Sequence, residues 1–176
     1  NNCIDTRQIE KAISKKTKAL SFIDYGGNPA NHKKILKISK KYKLPIIHDA
    51  AQSLGAYIDQ KPLGANGTLS TMSFHMAKII TTIEGGAVFT NNFKLFKKLL
   101  ILRNIGEIPS KKYNHVMLGT NARMTELQAA FGIAQLEKLK FIIKERRRVA
   151  RSYDFFFKNC KKIQTLGNLK NAKNAN

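Results

Sequence analysis

Acidic side chains are what this chain has least of: 11 Asp and Glu stand against 32 Lys and Arg, a formal net charge of +21 over 176 residues. Such a balance attracts polyanions. The lysines are nevertheless spread over every expected helix, at ordinary surface positions such as Lys33, Lys34, Lys37, Lys40 and Lys41, and read as a solvated face. Nucleic acid is therefore not an expected partner, and the run Lys144-Glu145-Arg146-Arg147-Arg148 is the one place where polyanion binding would be sought. Cysteine is equally scarce: Cys3 and Cys160 form neither a CxxC pair nor a zinc-ligand spacing, so no metal is expected and free thiols in a reducing compartment are the simplest reading. No apolar run reaches the ~18 residues that span a bilayer, and the start lacks the charged and apolar regions of a signal peptide. A cytoplasmic protein without a membrane partner is the expectation. The chain also lacks an initiator Met, which suggests a segment of something longer.

What is present is a core-forming composition, 43% hydrophobic, whose apolar period switches repeatedly between strand and helix. Asp5 is placed to cap a helix bearing Ile9, Ala12 and Ile13, with Gln8 at the reciprocal capping position. Lys18 to Ile23 reads as a buried strand, Tyr25-Gly26-Gly27-Asn28-Pro29 as a loop, and the stretch from Asn31 as a helix with Ile35, Leu36, Ile38 and Tyr42 inward. Leu44 to His48 is the next strand; continuous apolar strands alternating with helices point to a parallel sheet covered by helices. A small hairpin about Asp59-Gln60 follows, then strands at Leu69 to Phe74 and Ala87 to Thr90, a helix from Asn92, and a long helix from Thr125 to about Lys158. There is no internal repeat and no linker dividing the chain.

Asp49 follows the apolar strand Leu44-Pro45-Ile46-Ile47-His48, which places its carboxylate at the carboxyl end of a parallel strand, where ligands of open α/β sheets bind. Ser73-Phe74-His75-Met76-Ala77-Lys78 leaves another strand end and leads to Glu84-Gly85-Gly86, whose glycines permit close backbone approach to a ligand.

With the blocks His48-Asp49-Ala50-Ala51-Gln52-Ser53-Leu54-Gly55-Ala56, Ser73 to Lys78, Glu84-Gly85-Gly86, and Gly119-Thr120-Asn121-Ala122-Arg123-Met124-Thr125-Glu126-Leu127-Gln128-Ala129-Ala130, the sequence resembles the DegT/DnrJ/StrS family of pyridoxal-phosphate-dependent sugar aminotransferases. The resemblance runs from about Asp5 to about Phe157. It implies a three-layer, mostly parallel sheet with helices on both faces, as in the large domain of type I pyridoxal-phosphate enzymes. Residues 1–160 would be the central part of that cofactor-binding domain, and 161–176 the start of a connection to a small domain, expected to be poorly ordered. The implied cofactor is pyridoxal 5'-phosphate, alternating with pyridoxamine 5'-phosphate. The implied partners are a nucleotide-linked keto-sugar, an amino-acid donor such as glutamate, and a second copy of the chain.

The chemistry needs a primary amine to join the cofactor aldehyde as a Schiff base, and by the resemblance that amine is Lys78. A carboxylate must keep the pyridine nitrogen protonated, and Asp49 stands there. Gln52 resembles the residue that hydrogen-bonds the phenolic oxygen, Ser73 a phosphate ligand, and Asn121 the residue reaching across a dimer interface to the other subunit's cofactor. His75 and Arg123 are candidates for packing under the site or for substrate contact, and Tyr25 and His115 are weaker ones. Ile83 departs from the small residue common before Glu-Gly-Gly. Two other readings compete: a related sugar dehydratase, which would carry His in place of Lys78, and a basic nucleic-acid-binding or regulatory module resting on charge alone.

Overall fold

The computed structural model describes residues 2–165, 169 and 171–175. In chain order these form α1 (Thr6–Ala12), β1 (Leu20–Ile23), α2 (His32–Tyr42), β2 (Ile46–Asp49), β3 (Tyr57–Ile58), β4 (Lys61–Pro62), β5 (Leu69–Ser73), β6 (Gly86–Phe89), α3 (Phe93–Arg103), α4 (Glu126–Glu137), α5 (Leu139–Phe157) and β7 (Ala172–Lys173). A single 3-10 turn, Tyr25–Gly27, follows β1.

Local chemistry fixes the helix starts. The Asp5 carboxylate accepts from the Arg7 N–H rather than from residue 8, Asn31 caps α2 through Lys34 N–H, and Thr125 and Gln128 form a reciprocal capping box at α4. At its other end α2 stops on Lys43, which adopts the left-handed conformation with φ 53°.

The main sheet has the order β1-β2-β5-β6, with β1, β2 and β5 parallel and β6 antiparallel to β5. Parallel pairing needs crossovers, and α2 supplies the one between β1 and β2. In register, Leu20 lies beside Ile46 and Phe22 beside His48. These positions face α1 and α2 and build the core with Ile9, Ala30, Ile35 and Ile38. Burying each large aliphatic there contributes roughly 1.5–3 kcal/mol. Ile47 and Val88 remain 42% and 49% exposed, so the sheet carries apolar surface that the described residues do not cover.

One expectation is corrected. The long helix from Thr125 is two helices, because Lys138 takes φ −87°, ψ −6° and serves as C-cap of one and N-cap of the next. Leu127 and Phe131 of α4 are 75% and 44% exposed. Within the tail, Ala172–Lys173 form β7, which pairs antiparallel with β3 in the small sheet β4-β3-β7. Ala175 of the tail is fully buried. Residues 166–168, 170 and 176 of that tail lie outside the described residues. Among the described residues no helix is long and apolar enough to cross a membrane.

Candidate active site

The carboxyl ends of β1, β2 and β5 release three loops that meet around a cavity of about 270 Å³, lined in part by Tyr25, Gly26, Gln52, Ser73, Lys78 and Arg146. Gly26 has φ +63°, a conformation costly for other residues, and a Cβ there would meet nothing within 4 Å. Its N–H donates to Gln52 Oε1 at 2.5 Å, which ties the first loop to the second and leaves the Gln52 amide hydrogens to donate elsewhere.

The loop bearing Lys78 is pinned at its base. Phe74 N–H donates to Gly85 O (2.9 Å), while Thr82 N–H and Thr81 Oγ1 both donate to Phe74 O (2.9 and 3.2 Å). Helix α4 braces it from the side: Gln128 Nε2 donates to Glu84 O at 2.9 Å, and Gly132 packs so close to Thr82 that a Cβ would lie 2.8 Å from its methyl. Lys78 itself is half-buried, and among the described residues its Nζ has neither a hydrogen-bond nor an ion-pair partner. Ile83, the departure noted in the sequence, sits at φ +72°, a strained backbone for a β-branched residue, with its side chain 52% exposed.

Asp49 does not line the cavity. It lies one strand over from Thr71 of β5 and beside Ile23 of β1, on a half-buried row. One carboxylate oxygen accepts from Ala51 N–H at 3.0 Å; the other has no partner among the described residues. His75 stands off the cavity as well, its Nδ1 accepting from Ala77 N–H and its Nε2 lying 3.7 Å from Glu84 Oε1. Asn121 and Arg123 are not brought to the cavity: Asn121 bridges Asn104 in an exposed segment, and Arg123 donates to the Asn104 side chain. His115 is likewise remote from the lining, hydrogen-bonding Ile105 O.

Sequence reasoning missed a fully buried polar cluster centred on Asp24. Asp24, completely buried, accepts from Ala30 N–H (2.8 Å), His32 Nε2 (2.9 Å), His48 Nε2 (2.7 Å) and Ser53 Oγ (3.4 Å). An ionised carboxylate only accepts, so both imidazoles present Nε2–H to it. Burial pushes the Asp24 carboxyl up, but the hydrogen bonds from His32 and His48 outweigh it and hold it at about 2. Phe22 stacks on His48 with ring centroids 4.6 Å apart. The cluster joins Asp24, next to Tyr25 and Gly26, to Ser53, next to Gln52, and so fixes the two loops on that side of the cavity. A His at an inward strand position and an Asp directly after an apolar strand were the available signals.

The DegT/DnrJ/EryC1/StrS aminotransferase family matches residues 1–176, the whole chain. The chain belongs to this family. UDP-4-amino-4,6-dideoxy-N-acetyl-beta-L-altrosamine transaminase of Helicobacter pylori is 35% identical over 158 residues, covering 89% of this chain and 42% of that protein. GDP-perosamine synthase of Caulobacter vibrioides is 36% identical over 165 residues, covering 94% and 43%. Among solved structures, Streptomyces venezuelae DesV, described as in complex with a ketimine intermediate, superposes with a TM-score of 0.92 at 30% identity, covering 98% of this chain and 46% of DesV. Helicobacter pylori PseC, an aminotransferase in pseudaminic acid biosynthesis, gives 0.86 at 35%, covering 90% and 43%. The fold is thus that of the type I aminotransferases of this family, here as a mixed sheet. The chain spans a little under half the length of these relatives.

Proposed function

We propose that the protein containing this chain is a pyridoxal-phosphate-dependent aminotransferase that aminates a nucleotide-linked keto-sugar, with an amino acid such as glutamate as donor, in glycan sugar biosynthesis. The observation carrying this is the convergence of Lys78, Gln52 and Ser73 on one cavity at the carboxyl edge of the sheet, with Asp49 at the neighbouring strand end. The residues fit the cofactor: an amine without a partner, a glycine that leaves space, a serine hydroxyl, and a carboxylate with one oxygen unengaged. The names of the relatives support the substrate class.

Bound pyridoxal phosphate supplies an aldehyde that captures amines and a ring that accepts electrons from the reacting carbon. Lys78 Nζ would be the amine that holds the cofactor, and the same amine would be the base that moves a proton at the reacting carbon. Asp49 holds a proton on the ring nitrogen, Gln52 donates to the phenolic oxygen, and Ser73 Oγ donates to the phosphate. Asn121, exposed and away from its own chain's cavity, serves the cofactor of a second copy in a homodimer with shared sites. Arg123 contacts substrate or steadies the start of α4, and His75 supports the lysine loop through Ala77. Residues 1–160 form the central part of the large domain, with 161–176 leading towards a small one, in a cytoplasmic enzyme.

Borohydride reduction of the full-length protein tests this reading. It should fix the cofactor on the peptide containing Lys78, Lys78→Ala should be colourless, and Asp49→Asn should keep its colour while turning over slowly. Labelling of another lysine overturns the assignment.

A further inference from the structure

A second, larger cavity, about 480 Å³, lies along α5 and shares no lining residue with the Lys78 site. Its walls carry Lys140, Lys144, Arg147 and Arg151 from α5, Lys173 from β7 and Tyr57 from β3, and no acidic residue. The spacing of four, three and four residues puts the α5 cations on one helix face. None of the five has a carboxylate within ion-pair distance among the described residues; Glu145 of α5 pairs instead with Arg148. Arg147 is the half-buried member of the group. Burial lowers its guanidinium from the ordinary value, with Tyr57 opposing and Arg151 adding to the shift.

Arg147 is also held in place. Its Nε donates to Asn174 O (2.7 Å) and its Nη2 to Gly55 O (3.0 Å), so its remaining N–H groups are presented without further loss of side-chain freedom. Gly55 permits this approach: at φ +79° a Cβ would lie 2.0 Å from Ile143 Cδ1. Tyr57, 40% exposed, offers an aromatic face at the rim.

We propose that this cavity is a second binding site of the protein, for a small molecule carrying a diphosphate group. Five cations without an ion-pair partner among the described residues, set on one concave wall, exceed the negative charge of a diphosphate and can neutralise it, and the guanidinium fork of Arg147 suits phosphate oxygens. A concave site built from three elements suits a compact ligand better than a nucleic-acid backbone, which follows an extended stripe of charge. The site does not rest on the aminotransferase reading.

The test is calorimetric titration of the full-length Lys78→Ala protein with inorganic pyrophosphate and, separately, with ADP, so that a failure of the Lys78 assignment leaves the outcome untouched. Pyrophosphate should bind, more weakly as salt rises, and Lys144→Gln/Arg151→Gln should weaken it ~10-fold or more. Lys140→Gln/Lys144→Gln, also at exposed positions, should repeat the loss, whereas Lys33→Gln/Lys37→Gln on α2 should not. If Tyr57→Ala weakens ADP but not pyrophosphate, the diphosphate comes from a nucleotide; if it weakens neither, from a non-aromatic source. Pyrophosphate binding that is absent, or equal in all variants, overturns the proposal. So does duplex DNA that binds more tightly than pyrophosphate and is weakened by the same α5 variants.

Discussion

Replacing Asp24 by Asn keeps the shape of a fully buried polar residue and removes only its charge. A carboxyl held at about 2 instead of 3.8 is worth about 2 kcal/mol of folding free energy at pH 5.5. The amide also turns an NH2 group towards an imidazole Nε2–H that had an acceptor, adding roughly 1–3 kcal/mol for a buried donor left unpaired. A destabilisation of about 3 kcal/mol or more is therefore expected at pH 5.5, and its pH dependence identifies the cause. Because the folded value lies below the unfolded one, the contribution is complete above about pH 5 and is lost as pH falls towards 2. The gap between wild type and Asp24→Asn should thus shrink by about 1 kcal/mol between pH 5.5 and pH 3. Urea unfolding followed by circular dichroism at the two pH values measures both quantities. A loss below about 1 kcal/mol, or a gap that does not move with pH, would refute the account of Asp24 as an ionised hub.

Mixing separates the proposed role of Asn121 from a structural one: full-length Lys78→Ala and Asn121→Ala, exchanged into heterodimers, should regain one intact site, so that activity exceeds the average of the parents. No recovery in dimers shown to have mixed would return Asn121 to its own chain. Ile83→Asn should stabilise the protein by about 0.5–1 kcal/mol in denaturant titration, because Asn tolerates the left-handed backbone and the exposed isoleucine loses little packing. An unchanged midpoint would mean the local backbone relaxes at no cost. Gly55→Ala should destabilise by roughly 2 kcal/mol or more and loosen α5, read as earlier proteolysis within Leu139–Phe157, since the new methyl collides with Ile143.

The order of strands and helices was legible in the sequence because local periodicity and caps decide it: Asn31, Asn92 and Thr125 announce their helices, and apolar runs at Leu20 and Ile46 their strands. Gln52, Ser73 and Lys78 stand in two of the blocks noted in the sequence, and all three line one cavity. Tertiary structure alone decided the rest. The Asp24 cluster pairs residues 8, 24 and 29 positions apart, and no local pattern distinguishes a His that faces a buried carboxylate from one that faces solvent. The tail's low-complexity composition hid β7, whose pairing depends on an edge offered by β3 more than a hundred residues earlier. The helical period ran unbroken through Lys138, yet the turn there opens because α4 is fastened to the Lys78 loop through Gln128 and Gly132 while α5 is fastened to Gly55 through Ile143 and Arg147. The charge was plain in the composition, but only the packing of α5 against β3 and β7 turned part of it into a cavity.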